Sequence, residues 1–223
     1  MRTLIATLVI LLSQAAAAQL SVSFATEDGG TICADVYGKG ERGIVLAHGG
    51  RFNKGSWEKQ ARILEGAGYR VLAFDFRGIG KSRGPGDSDL ESAPLHLDVL
   101  AAVRYLRQTG AKSISVIGGS MGGSAAGDAS IAAGAGEIDR LVLLGAAPNL
   151  VADKLKSPVL FIVARDDTSG DGPRLPGIRA QFDKAPQPKE LIILDGSAHA
   201  QYLFQTDQGD RVMREILRFL KEK

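Results

Sequence analysis

The sequence predicts an α/β domain: a mostly parallel sheet of about eight strands with helices on both faces. Two observations carry that prediction. Short apolar runs bounded by Gly, Pro or Asp read as buried strands, and they alternate with longer stretches of helical period. The chain of 223 residues shows no internal repeat and no low-complexity linker, which fits one domain with a full core.

Taken in order, residues 20–26 and 31–37 read as two strands joined at Asp28-Gly29-Gly30, a hairpin turn. Residues 43–48 form the first buried strand. Trp57, Ala61 and Leu64 then keep helical spacing before Gly66. Residues 70–75 are the next strand. Leu95, Val99, Val103 and Leu106 mark a helix stopped at Gly110. Further buried strands follow at 113–118, 140–145, 158–164 and 190–195. Val212, Ile216, Phe219 and Leu220 lie on one stripe of a closing helix that covers the sheet. In sheets of this kind ligands bind beyond the carboxyl ends of the strands, so the chemistry is sought there.

Residues 1–18 have a separate character. Arg2, an apolar run from Leu4 to Leu12 and an Ala-rich exit ending at Ala18 describe an export signal. The run is shorter than the roughly 20 apolar residues that span a bilayer. The expected organisation is a signal peptide over 1–18 and one domain over 19–223, exported to the periplasm or outside the cell, with no stable membrane insertion after cleavage. The chain carries 27 Lys and Arg against 25 Asp and Glu, and Arg2 is the only charge before residue 19. So balanced a chain lacks the electrostatic footprint of a nucleic-acid binder. Cys33 is the only cysteine, which leaves no internal disulfide, and its strand-like setting reads as packing. Three histidines without a cysteine cluster do not make a metal site.

Asp75-Phe-Arg-Gly-Ile-Gly-Lys-Ser82 ends like a phosphate-binding loop. That motif needs a glycine where Asp75 stands, and a helix where Arg83-Gly84-Pro85-Gly86 follows. The glycines serve another purpose.

The strand over 113–118 runs into Gly118-Gly119-Ser120-Met121-Gly122, followed by Ala-rich helical sequence. A Gly-x-Ser-x-Gly turn between strand and helix lifts a serine hydroxyl above the sheet and aims the next N–H, here that of Met121, at an oxyanion. A serine needs a base, and the base needs an orienting carboxylate. Arg165-Asp166-Asp167 follows one strand and Gly196-Ser197-Ala198-His199 follows another, so Ser120, an acid at 166 or 167, and His199 occur in the order Ser…Asp…His. His48-Gly49-Gly50-Arg51 ends the strand over 43–48. Gly50 is the expected second oxyanion donor, with Arg51 as the alternative. His48 is expected to order that loop by hydrogen bonding, and His96 to sit on a helix surface.

Together these stretches resemble the α/β-hydrolase superfamily with a serine nucleophile, close to esterases and dienelactone hydrolases that lack a cap domain. The resemblance runs from about Leu20 to Phe219. It implies an α/β-hydrolase fold, and it makes Asp-x-Arg-Gly-x-Gly-x-Ser a scaffold turn. It places the triad acid nine residues after Pro158, at Asp167, which local chemistry alone leaves open against Asp166. It also implies hydrolysis of a small carboxylic ester through an acyl-enzyme, with no metal or organic cofactor. Lactones, thioesters and amides are open to the same machinery, and a non-catalytic binding protein on the same fold is the alternative from another class. The connection from Ala146 to Ser157 is too short for a cap domain. The Gly-rich stretch from Thr168 reads as flexible and able to fold over the site.

Overall fold

The computed structural model describes residues 19–222 of the chain; the export signal expected over 1–18 lies outside them. A hairpin, β1 (Leu20–Ala25) and β2 (Thr31–Tyr37), leads into β3 (Arg42–Ala47), α1 (Glu58–Gly66) and β4 (Arg70–Phe74). Next come α2 (Leu95–Gln108), β5 (Ser113–Gly119), α3 (Met121–Ala132), β6 (Arg140–Leu144) and β7 (Val159–Ala164). The chain finishes with two short strands β8 (Thr168–Ser169) and β9 (Gly172–Pro173), α4 (Arg174–Lys184), β10 (Lys189–Leu194) and α5 (Gly209–Phe219). Eight strands form one sheet in the order β1-β2-β4-β3-β5-β6-β7-β10. Pairing is parallel from β4 to β10 and antiparallel on both sides of β2.

The strand residues alternate between two cores, as a period of two requires. Val45, Leu72, Phe161 and Val163 face α2, α3 and α4 through Val99, Ala126 and Ile178. Ile44, Val71, Leu160 and Ile162 face α1 and α5 through Leu64, Val212 and Phe219, joined by Trp57 just before α1. Both faces are thus covered, which is why the central strands are apolar at nearly every position.

The 75–82 turn is scaffold, made so by its hydrogen bonds. Asp75 accepts from the Lys54 N–H at 2.7 Å, and Ser82 Oγ accepts from the Cys33 N–H at 2.9 Å. The fully buried Arg77 guanidinium donates to Asp98 from Nε at 3.0 Å and Nη2 at 2.7 Å, and to Asp28 from Nη1 at 2.6 Å. This staple ties the β1–β2 hairpin, the turn and α2 together.

Two stretches differ from the sequence reading. Thr168 to Pro173 is an antiparallel hairpin, with Thr168 paired to Pro173, and not a loose loop. The helix α4 that follows carries a weakly apolar pattern, with Ile178 its one buried residue, so periodicity gave little notice of it. The connection over 146–157 holds a single 3₁₀ turn, Ala152–Lys154, and no cap domain. No helix among the described residues is long and apolar enough to cross a membrane.

Candidate active site

Parallel pairing brings the carboxyl ends of β3, β5, β6, β7 and β10 to one edge of the sheet, and the residues singled out from the sequence gather there. Ser120 links β5 to α3 with φ 52° and ψ −121°, a strained backbone for a residue with a side chain. Its N–H donates to the Leu144 carbonyl at 3.0 Å, which ties the turn to β6. The turn is possible because α3 runs very close to the sheet. A Cβ on Gly122 would lie 2.4 Å from the Ala47 carbonyl oxygen, so only glycine fits.

His199 Nε2 lies 2.8 Å from Ser120 Oγ, and His199 Nδ1 lies 2.7 Å from Asp167 Oδ2. The carboxylate can only accept, so Nδ1 carries the proton and Nε2 is free to accept from the serine hydroxyl. Asp167 is fully buried at the end of β7, whereas Asp166 is exposed. Gly145, at the end of β6, supports this pair from beneath. It has φ +58°, and a Cβ there would approach His199 Nδ1 to 3.0 Å and Asp167 Oδ2 to 3.1 Å. Ala200, directly after His199, is the other non-glycine residue with positive φ among those described. Strain therefore sits at the serine and directly beside the histidine.

Met121 opens α3, where the first N–H groups have no carbonyl partner within the helix. Gly50 lies in the loop after β3, where a Cβ would meet Met121 Sδ at 3.7 Å, so the Met121 side chain lies beside it and both residues line the space above Ser120. The N–H of Gly49 is already committed to Gln201 Oε1 at 2.7 Å. His48 is buried and bridges that loop to the 75–82 turn. Its Nδ1–H donates to the Gly49 carbonyl at 2.8 Å, and its Nε2 accepts from the Phe76 N–H at 3.3 Å. Burial lowers the His48 pKa and keeps the ring neutral. His96 is half-buried on α2, away from these residues.

Two contributors escaped the sequence reading. Gln201, buried two residues after His199, holds Gly49 with one end of its amide and donates to Ser56 Oγ at 2.6 Å with the other. A Gln in a short polar loop has no signature, and its role depends on β3 and β10 ending on the same edge. Arg174, the first residue of α4, donates its backbone N–H to the Asp167 carbonyl at 2.9 Å, and its Nε lies 3.5 Å from Asp167 Oδ1.

Above Ser120 opens a cavity of about 510 Å³, whose lining includes the apolar Phe52, Met121 and Tyr202 as well as Ser169 and Arg174. The Phe52 and Tyr202 rings stand 5.0 Å apart. A second cavity of about 470 Å³ adjoins it along α4 and shares Ser120, Met121 and Arg174. The β8–β9 hairpin supplies Ser169 to both.

Comparison with known proteins agrees with this architecture. The model of the α/β hydrolase fold family matches residues 44–190. A non-heme haloperoxidase of Rhodococcus erythropolis is 34% identical over 134 residues, 59% of this chain and 46% of that protein. The chain spans less than half the length of the curated relatives it matches. Among solved structures, an esterase from Exiguobacterium antarcticum superposes with a TM-score of 0.75 at 16% identity, covering 91% of this chain and all of that one. An esterase from Pyrococcus furiosus gives 0.71 at 21% identity, with 91% of each chain covered. With the sheet order, the strand-end site and a family match running from β3 into β10, the chain belongs to the α/β hydrolase fold family.

Proposed function

We propose that this protein is an exported serine hydrolase that cleaves small carboxylic esters through Ser120, His199 and Asp167. One observation carries the reading: an unbroken hydrogen-bond chain, 2.8 Å from Ser120 to His199 and 2.7 Å from His199 to Asp167, opening into a cavity. His199 takes the Ser120 proton as Oγ adds to the ester carbonyl, and Asp167 holds the imidazolium. The N–H groups of Met121 and Gly50 receive the oxyanion. Collapse expels the alcohol, which leaves with the proton from His199. Water then adds to the acyl-enzyme with the same base, releasing the acid and restoring Ser120.

The likeness to a non-heme haloperoxidase favours a second reaction at the same site. There hydrogen peroxide takes the place of water in the second step and the product is a peracid.

Without a cap domain, a long acyl chain leaves its distal methylenes in water and forgoes about 0.8 kcal/mol for each. kcat/KM on p-nitrophenyl esters should therefore peak at short acyl chains. A fluorophosphonate probe should label the protein, and Ser120→Ala should abolish labelling. An unlabelled wild-type protein that turns over no ester, thioester, lactone or amide would reject the assignment.

A further inference from the structure

Two arginines and no carboxylates line the space around Ser120. Arg51, in the loop after β3, and Arg174 both line the larger cavity, and Arg174 also lines the adjoining one. Neither wall contains an Asp or Glu. The whole chain has a formal charge of only +2, so this local excess is not a sample of its surroundings.

Both arginines have donors to spare. The Arg51 side chain has no ion pair or hydrogen bond among the described residues. Arg174 has one side-chain partner, Asp167, at 3.5 Å, which is beyond good hydrogen-bond distance. Its Nε is buried with no hydrogen bond, and its two Nη groups have none among the described residues. Asp167 Oδ2 is meanwhile taken by His199. A guanidinium with unused N–H groups, on a residue whose backbone is anchored to Asp167, is a ready receptor for a planar anion.

We propose that the substrate carries a carboxylate in addition to its scissile ester, and that Arg174, assisted by Arg51, binds that carboxylate. This inference rests on the ester-hydrolase reading and narrows it to half-esters of dicarboxylic acids and esters of hydroxy acids. Had Arg174 served only to steady Asp167, it would favour charged and uncharged substrates alike.

The test compares 4-nitrophenyl hemiglutarate with 4-nitrophenyl valerate, of equal length and without the charge, and adds 4-carboxyphenyl acetate against phenyl acetate to probe the alcohol side. Wild-type kcat/KM should favour the anionic member of at least one pair by roughly ten- to a hundredfold, the range of a charge-assisted hydrogen bond. The ratio should shrink as salt is raised. Arg174→Gln should bring it close to one, and Arg51→Gln, at an exposed position, should reduce it severalfold. Using the ratio separates anion binding from any change in the triad. Equal wild-type efficiency within both pairs, or a preference that survives both substitutions, would overturn the proposal. Should the wild type hydrolyse none of the four esters, the fluorophosphonate label decides the catalytic reading and binding decides this one. Calorimetry on Ser120→Ala would then have to show the anionic probe binding at least tenfold more tightly than its uncharged partner, and equal binding would sink it.

Discussion

Arg77 and Arg174 each lie against a fully buried aspartate, yet one is saturated with partners and the other is not. Arg77 has no exposed surface and donates to Asp98, Asp28 and the Pro85 carbonyl. Arg174 is about a third exposed, stands 3.5 Å from Asp167 and leaves a buried Nε unsatisfied, as is Asp167 Oδ1. A polar network inside a protein is worth most when every member is paired. The first site meets that condition and reads as architecture. The second leaves it unmet beside a strained serine and an open cavity, which is where unsatisfied groups earn an explanation in function.

Substitutions can break the contrast from either side. The largest effect is expected at the second site: Ser120→Ala should lower turnover on the order of a millionfold with Tm unchanged, since one hydroxyl is lost from a turn. Turnover within tenfold of wild type, in protein free of other esterases, would remove Ser120 from the nucleophile's role. Asp167→Asn should cost about 10⁴ in kcat by favouring the wrong His199 tautomer, whereas Asp166→Asn should stay near wild type. Reversal of that order would move the triad acid by one residue.

At the first site the expected loss is in stability. Arg77→Met strands Asp98 in the core, which should cost about 3–5 kcal/mol and lower Tm by roughly 6–20 °C. Arg174→Met leaves Asp167 its His199 partner and should cost about 1 kcal/mol or less. Equal Tm losses in the two variants would erase the distinction between the two arginines.

Smaller effects follow from protonation. Hydrogen bonds from Arg77 hold the Asp28 carboxyl at about 2, below its ordinary 3.8. A carboxyl depressed on folding adds stability above its unfolded pKa and loses it as pH falls toward the folded value. The stabilisation from Asp28 should thus disappear between about pH 4 and pH 2, and Asp28→Asn should narrow the acid-induced fall in Tm over that window. His48, kept neutral by burial, has the same sign by a different route. The unfolded ring takes up a proton more readily, so stability should fall as pH drops below about 6.5. His48→Asn should flatten the Tm profile between pH 7 and pH 5, and an unchanged slope would show that other groups set it.

Much of the fold was legible because it depends on neighbours in sequence. Six of the eight sheet strands read as short apolar runs, since helices on both faces of the sheet leave polar residues little place in them, and β1 and β2 were legible from the Asp28-Gly29-Gly30 turn between them. The elbow at Ser120 announced itself through Gly118 and Gly122, because close contact between helix and strand excludes any side chain. The helix α4 did not, since only Ile178 of its residues is buried.

What the chain determined by itself, then, is a set of strands and helices, a serine on a tight turn, and a histidine and two adjacent acids at strand ends, all written in local patterns of apolarity and glycine. Between those acids local patterns left the choice open and the family likeness singled out Asp167, which bonds His199. Only the tertiary structure decided that β3 lies between β4 and β5, that Gly145 packs against Asp167 and His199, and that Gln201 holds Gly49. The same holds for Arg174, which meets Asp167 because the β8–β9 hairpin folds the start of α4 back over the end of β7. Each of these contacts depends on which strand ends lie side by side, a property of sheet order that no short window of sequence contains.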